Sequence, residues 1–338
     1  MTVSRSLIMC AALALAGTLV TPVGRAAADR VIAYTDVSVT DAHATSVTGV
    51  TTGGTIAGTY LAGKKGTTAF GFVMGGTITT VTTIVIPGAV GTTVNAINDS
   101  GTTVGSYVDR QGNEHGFIRD TAGAVTVFDE PDVVTKGVRG YGTVATGINS
   151  SGVVVGYFYM TGPDKADVHT YVTHNHGFVR STTGEFTTYD APGAADSALP
   201  SVGTRLLGVN DAGDKVGAYT YNAGSEIAPD IRNSGFLVTS GEAFSTIVQP
   251  DQPVNACGWT EPHGINDAGV IVGNAGNGCA GTSSGWLLSA GTFTDLVYVN
   301  GEETSQYTLA YGINDSGVIG GAWGDGSGVV HGYTATTS

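Results

Sequence analysis

One six-residue phrase recurs six times along this chain, and it constrains the fold more than any other feature. It reads Gly49-Val50-Thr51-Thr52-Gly53-Gly54, Ala96-Ile97-Asn98-Asp99-Ser100-Gly101, Gly147-Ile148-Asn149-Ser150-Ser151-Gly152, Gly208-Val209-Asn210-Asp211-Ala212-Gly213, Gly264-Ile265-Asn266-Asp267-Ala268-Gly269 and Gly312-Ile313-Asn314-Asp315-Ser316-Gly317. Measured at the aliphatic residue, the spacings are 47, 51, 61, 56 and 48. Another glycine follows eight positions later in every copy (Gly58, Gly105, Gly156, Gly217, Gly273, Gly321). A period of about 50 is that of a propeller blade and is too long for a β-helix coil.

Each copy divides into four strands. Strand A ends in the aliphatic residue, and the turn that follows uses Asn, Asp and Gly, the residues that best tolerate positive φ. Strand B comes next, as in Val153-Val154-Val155. A Gly-aromatic pair marks strand C (Gly71-Phe72, Gly116-Phe117, Gly177-Phe178, Gly235-Phe236, Gly285-Trp286, Gly332-Tyr333), and a run such as Glu185 to Asp190 supplies strand D. The sixth copy stops after strand C, whereas Arg30-Val31-Ile32-Ala33-Tyr34-Thr35-Asp36 reads as a spare strand. The sequence therefore predicts an all-β, six-bladed β-propeller of four-stranded blades over residues 29–338. The N-terminal strand completes the last blade and removes the open edge.

Composition agrees with this reading. Charged residues are 12% of the chain, against roughly 25% in an average soluble domain, and Gly, Thr, Ser and Val take their place, favouring short strands and tight turns over long helices. The net charge is −14. Nucleic acid and anionic membranes recruit Lys and Arg, so neither is an expected partner. Acidic polysaccharides are disfavoured for the same reason, and neutral or cationic ligands are favoured. Arg5, the apolar run Leu7 to Val20 and Ala26-Ala27-Ala28 read as a signal peptide over residues 1–28, which predicts a secreted or periplasmic, monomeric protein without membrane insertion. Cys257 and Cys279, 22 positions apart, are most simply a disulfide in an oxidising compartment; a thiol or metal pair is the alternative.

The Gly-Ile-Asn-Asp-x-Gly-x-x-x-Gly phrase, followed by His115-Gly116-Phe117 and His176-Gly177-Phe178, resembles the bacterial extracellular HAF-repeat family. The resemblance covers essentially all of residues 29–338, although the middle residue of the family tripeptide is Gly here. It implies an extracellular repeat architecture and transfers no catalytic residue.

Positions shared by the blades belong to the scaffold. Asp99, Asp211, Asp267 and Asp315 fall in the A-to-B turn, where each is expected to cap its own backbone. Tyr60, Tyr107, Phe158, Tyr219 and Trp323 form a near-ring broken at Ala275, read as blade packing or as a sugar-stacking platform. His115, His176 and His331 read as structural hydrogen-bonding groups.

Function is expected where the blades differ, and loop insertions fall on one face, in the B-to-C connections of units three and four. The first carries Asp167, His169, Tyr171, His174 and His176. His174 and His176 share one side of an extended strand and, with His169 or Asp167, could ligate a divalent metal. The second carries Tyr221, Glu226, Asp230 and Arg232, and Trp259, Glu261 and His263 precede the fifth phrase. The leading expectation is a binding face for a neutral glycan or other small extracellular ligand, using Tyr221, Glu226, Arg232, Trp259 and Trp323. The alternative is an extracellular polysaccharide-degrading hydrolase or lyase using His169, Tyr171, His174, Asp230, Glu261 and His263. The chain carries no nucleophile elbow, HExxH helix, phosphate-binding loop or calcium loop.

Overall fold

The computed structural model of the chain describes residues 32–63, 66–75, 80–134, 141–163, 171–195, 202–224, 230–253, 257–300 and 303–337. The expected signal peptide lies outside the described residues.

Strand β1 (Ile32–Val37) stands apart from its sequence neighbours. The following strands group into antiparallel four-stranded meanders. Blade one is β2 (Ala44–Val50), β3 (Ile56–Ala62), β4 (Thr68–Met74) and β5 (Val81–Ile84). Blade two is β6 (Gly91–Ile97), β7 (Thr103–Val108), β8 (Glu114–Arg119) and β9 (Val125–Phe128), followed by the single helical turn α1 (Pro131–Val134). Blade three is β10 (Tyr141–Ile148), β11 (Val154–Pro163), β12 (Tyr171–Arg180) and β13 (Phe186–Tyr189). Blade four is β14 (Val202–Val209), β15 (Lys215–Asn222), β16 (Ile231–Val238) and β17 (Phe244–Ile247). Blade five is β18 (Gly258–Ile265), β19 (Ile271–Asn277), β20 (Thr282–Ser289) and β21 (Thr292–Leu296). A small hairpin, β22 (Val299–Asn300) and β23 (Glu303–Thr304), leads to β24 (Tyr307–Ile313), β25 (Val318–Gly324) and β26 (Val330–Thr337).

Strand β1 pairs antiparallel with β26 from Ile32 opposite Thr337 to Val37 opposite Gly332, and so supplies the fourth strand of the last sheet. The closure is chemically latched. Asp36 Oδ1 accepts from Tyr298 Oη at 2.7 Å and from Trp323 Nε1 at 3.1 Å, joining the first strand to residues 262 and 287 positions away.

The recurring residues are explained by contacts between strands and between blades. The strand C aromatics, Phe72, Phe117, Phe178, Phe236, Trp286 and Tyr333, are all fully buried. Each lies against the glycine eight positions after the aliphatic residue, where a Cβ would come within 2.4 Å of a strand A carbonyl. The last glycine of each phrase, Gly54 through Gly317, has φ between 73° and 88°, as the turn requires. A third repeat escaped the sequence reading. Thr45, Thr92, Thr143, Thr204, Thr260 and Thr308 are buried, and each Oγ1 accepts a backbone N–H from the incoming D-to-A connection.

The turn aspartates differ from expectation. The asparagine caps its own turn: Asn98, Asn149, Asn210, Asn266 and Asn314 each accept, through Oδ1, the N–H four residues on. Their Nδ2 groups donate to the next blade, Asn98 to Asn149 O, Asn149 to Asn210 O, Asn210 to Asn266 O, Asn266 to Asn314 O and Asn314 to Thr51 O. The aspartates also act between blades. Asp99, Asp211, Asp267 and Asp315 accept from the backbone N–H of Thr52, Ser150, Asp211 and Asp267. In the four turns that carry one, the aspartate is left for a neighbour because the adjacent asparagine already satisfies the local backbone. The result is a circumferential hydrogen-bonded belt around the axial opening that these turns line.

Candidate functional site

The inner strands run from the loop face toward this belt, and each carries one β-bulge, between Val47 and Gly49, Val94 and Ala96, Ala145 and Gly147, Leu206 and Gly208, Pro262 and Gly264, and Ala310 and Gly312. The extra residue re-aims its side chain. Thr48, Asn95, Thr146, Leu207, His263 and Tyr311 consequently line an axial channel. In the first three blades these residues tie the wall together: Thr48 donates to Val94 O, Asn95 to Ala145 O and Thr146 to Leu206 O, each at 2.8 Å. Leu207, His263 and Tyr311 break the pattern.

Strand alternation places a second tier two residues earlier and a rim tier two residues before that. The second tier is Ser46, Thr93 and Val144 in blades one to three, but Arg205, Glu261 and Leu309 in blades four to six. The rim tier is Ala44, Gly91, Gly142 and Gly203 in blades one to four, then Trp259 and Tyr307. The near-sixfold symmetry thus fails in all three tiers on the same half of the ring.

The chemistry of that half is concentrated between blades four and five. Arg205 Nη2 donates to Glu261 Oε1 at 2.5 Å, and the guanidinium carbon lies 6.0 Å from the Tyr157 ring centre. Burial pushes the Glu261 carboxyl up, but Arg205, His263 and the Asn233 amide outweigh it and hold the group below the usual carboxylate range. Burial pushes His263 down to about 4; Arg205 adds to that shift and Glu261 opposes it, so the imidazole is neutral at neutral pH. Tyr311, in edge contact with His263 at 5.5 Å between ring centres, is pushed by burial to about 12. Although deep in the molecule, the His263 side chain keeps 23% of its surface exposed, as a channel-lining group does.

The rim of the same half opens into a cleft between blades four and five, lined by Tyr221, Arg232, Asn233, Gln252, Pro253 and Trp259 among others. Asn233 joins the two spaces: its Nδ2 approaches Glu261 Oε1 at 3.5 Å, while its Oδ1 is buried without a partner. Arg232 is held by Asp230 Oδ2 through Nε at 2.9 Å and Nη2 at 2.5 Å. The disulfide Cys257–Cys279 ties the start of β18 to the segment after β19, two residues before Trp259.

The structure therefore gathers five sequence-nominated residues, Tyr221, Arg232, Trp259, Glu261 and His263, with Asp230 bound to the second of them. Trp259, Glu261 and His263 fall on one face of β18, running from rim into channel. Asp167, His169 and Glu226 lie outside the described residues, as does the side chain of Tyr171. His174 shares one side of β12 with His176, whose Nδ1 is 2.9 Å from Asp190 Oδ1 and whose ring stacks on Phe158. Among the described residues no group of three or more His, Cys, Asp or Glu is arranged to hold a metal ion.

Trp323 is a correction. It is 6% exposed, stacks between Tyr298 and His331, and gives its indole N–H to Asp36, so it serves the latch and not a ligand. Phe158 and Tyr219 are likewise buried in blade packing. Arg205, Leu207, Tyr307 and Tyr311 were missed, although aligning the phrases at positions two, four and six before the aliphatic residue shows that Arg205, Tyr307 and Tyr311, like Trp259, Glu261 and His263, are charged or aromatic where the first three blades have none.

No family model and no curated protein matches the chain. Among solved structures, a mutant of Aleuria aurantia lectin in complex with α-methyl-L-fucoside aligns with TM-score 0.50 and 12% identity over 87% of this chain and 93% of the lectin. The Penicillium chrysogenum α-L-arabinanase complexed with arabinobiose aligns with TM-score 0.46 and 10% identity over 87% of this chain and 93% of the enzyme. Acinetobacter baumannii TolB aligns with TM-score 0.44 and 12% identity over 83% of this chain, which spans 63% of the TolB chain. No helix among the described residues is long and apolar enough to cross a membrane. The likeness to the lectin is one of fold, and with the four-stranded meanders and the latched first strand it makes this chain a β-propeller.

Proposed function

We propose that this chain is a secreted β-propeller that binds a neutral glycan on the axial wall of blades four to six and in the adjoining cleft. The observation that carries the reading is that every charged or aromatic residue of the three tiers falls in blades four to six. Trp259, Tyr307 and Tyr221 offer flat faces to pyranose C–H groups. Arg232, Asn233 and Gln252 offer planar hydrogen-bonding groups for hydroxyls. Both guanidinium groups are neutralised by carboxylates, Arg205 by Glu261 and Arg232 by Asp230, so the surface is polar without a local positive charge. The leader-like residues 1–28 and the disulfide support secretion, and the lectin of the same fold holds a fucoside.

The same geometry favours binding over hydrolysis. A glycosidase acid needs a carboxyl raised toward neutrality, whereas Arg205 holds Glu261 ionised. Calorimetric titration with a panel of neutral oligosaccharides tests the reading, with product analysis of the same mixtures. Trp259→Ala and Tyr307→Ala are expected to weaken binding by about tenfold or more, and Thr82→Ala on the exposed outer strand of blade one to leave it unchanged. Binding that survives both aromatic changes contradicts the proposal, and accumulation of shorter oligosaccharides replaces it with the degradative alternative.

A further inference from the structure

The second and lower tiers of blades four to six contain more hydrogen-bonding capacity than the protein uses. Arg205 engages one of its N–H groups, with Glu261. His263 makes no hydrogen bond among the described residues; its nearest carboxylate oxygen, Glu261 Oε2, is 3.9 Å away. Tyr311 lines the channel, and its hydroxyl also has no hydrogen bond among the described residues. His263 and Tyr311 are both half-buried side chains lining open space, so their unpaired polar atoms can meet a ligand.

The unused groups are mostly donors: the remaining Arg205 N–H groups, the Tyr311 hydroxyl and one imidazole N–H. Glu261 Oε2 is the main unused acceptor. Leu207 adds a small apolar surface in the channel, and strand alternation puts Leu309 in the tier above. Resting on the glycan reading, we propose that this channel mouth is the subsite for an acetamido group, so that the preferred ligand class is a neutral N-acetylated sugar. The amide carbonyl accepts from Arg205 and Tyr311, the amide N–H donates to Glu261 Oε2, and the methyl group lies on Leu207. A plain hydroxyl uses fewer of these groups and makes no apolar contact with the small exposed part of Leu207, which is 7% exposed. A carboxylate would set a second negative charge beside Glu261 in a chain of net charge −14.

The test titrates N,N′-diacetylchitobiose, cellobiose and a glucuronic acid-terminated disaccharide into the full protein. Arg205→Lys keeps the charge beside Glu261 but removes the planar donors, and Tyr311→Phe removes one hydroxyl; melting curves establish that both variants fold. The acetylated disaccharide is expected to bind about tenfold more tightly than cellobiose, and each variant to shrink that ratio by weakening the acetylated disaccharide more than cellobiose. Equal binding of the two neutral sugars, a preference retained in both variants, or tighter binding of the acidic disaccharide overturns the acetamido assignment alone. Binding of none of the three overturns it together with the glycan reading.

Discussion

Arg205 Nη2 lies 2.5 Å from Glu261 Oε1, so one ion pair joins the inner strands of blades four and five at the mouth of the axial channel. The corresponding residues of blades one to three, Ser46, Thr93 and Val144, carry no charge. Glu261 thereby presents a fixed acceptor, and Arg205 a fixed fork of donors, beside a neutral imidazole.

Removing one partner leaves the other charge poorly solvated. Arg205→Ala or Glu261→Ala is expected to destabilise the fold by roughly 1–3 kcal/mol, less than a fully enclosed pair because both side chains line open space. The double change Arg205→Met/Glu261→Leu is expected to recover most of that loss. Urea unfolding of the three variants measures it, and equal losses in the single and double variants would show the pair is not coupled.

Stability should fall as pH drops from about 6.5 toward 4. The folded pKa of His263, about 4, lies below its unfolded value, so the unfolded chain takes up the proton first and gains from acidification. The contribution is complete above the unfolded pKa and, after allowance for exposure, amounts to roughly 1–2 kcal/mol. Asp109, held near 2 against burial by Asn113, His115 and Gln111, acts only at lower pH, where its contribution disappears as the carboxylate protonates. His263→Gln should flatten the upper part of the profile and leave the lower part in place.

The interblade belt should act cooperatively. Asn314→Ala removes both the cap of its own turn and the donor that reaches across the closure to Thr51 O at 2.9 Å. A loss of about 1–3 kcal/mol is expected, with a comparable one for Asp36→Ala, which leaves Tyr298 and Trp323 without their acceptor. Chemical denaturation of each variant checks this, and wild-type midpoints would rule out a structural role for the belt and the latch.

Reducing Cys257–Cys279 should lower stability by about 3 kcal/mol on loop-closure grounds. Because the bridge sits beside Trp259, the Cys257→Ser/Cys279→Ser variant should also bind ligand more weakly. Calorimetry on the folded variant separates this from unfolding, and unchanged affinity would show that the bridge does not position the rim.

The blade architecture was legible because it is repeated: six phrases, six Gly-aromatic pairs and a spare first strand each have a single structural use. The site was legible only in part. Trp259, Glu261 and His263 stand out as chemically suited residues, but loop length directed attention to residues 161–176 and 219–232 and away from Arg205, Leu207, Tyr307 and Tyr311 on the inner wall. A β-bulge decides which side chain faces the axis, and the phrase gives no sign of it; His263 and Tyr311 gain their role from that extra residue. Trp323 and the turn aspartates were misassigned for a related reason, since their partners, Asp36 and the neighbouring blades' backbones, are set by ring closure and not by local sequence.

The most direct test uses the chain's own fluorescence. Of its three tryptophans, Trp286 is fully buried and Trp323 is 6% exposed, whereas Trp259 is part-exposed and lines the cleft. Titration with N,N′-diacetylchitobiose, cellobiose, arabinobiose and mannobiose should give a saturable change in emission with at least one sugar, and Trp259→Phe should abolish it. Calorimetric binding with no change in emission, or a change that persists in Trp259→Phe, would place the ligand elsewhere and contradict the site.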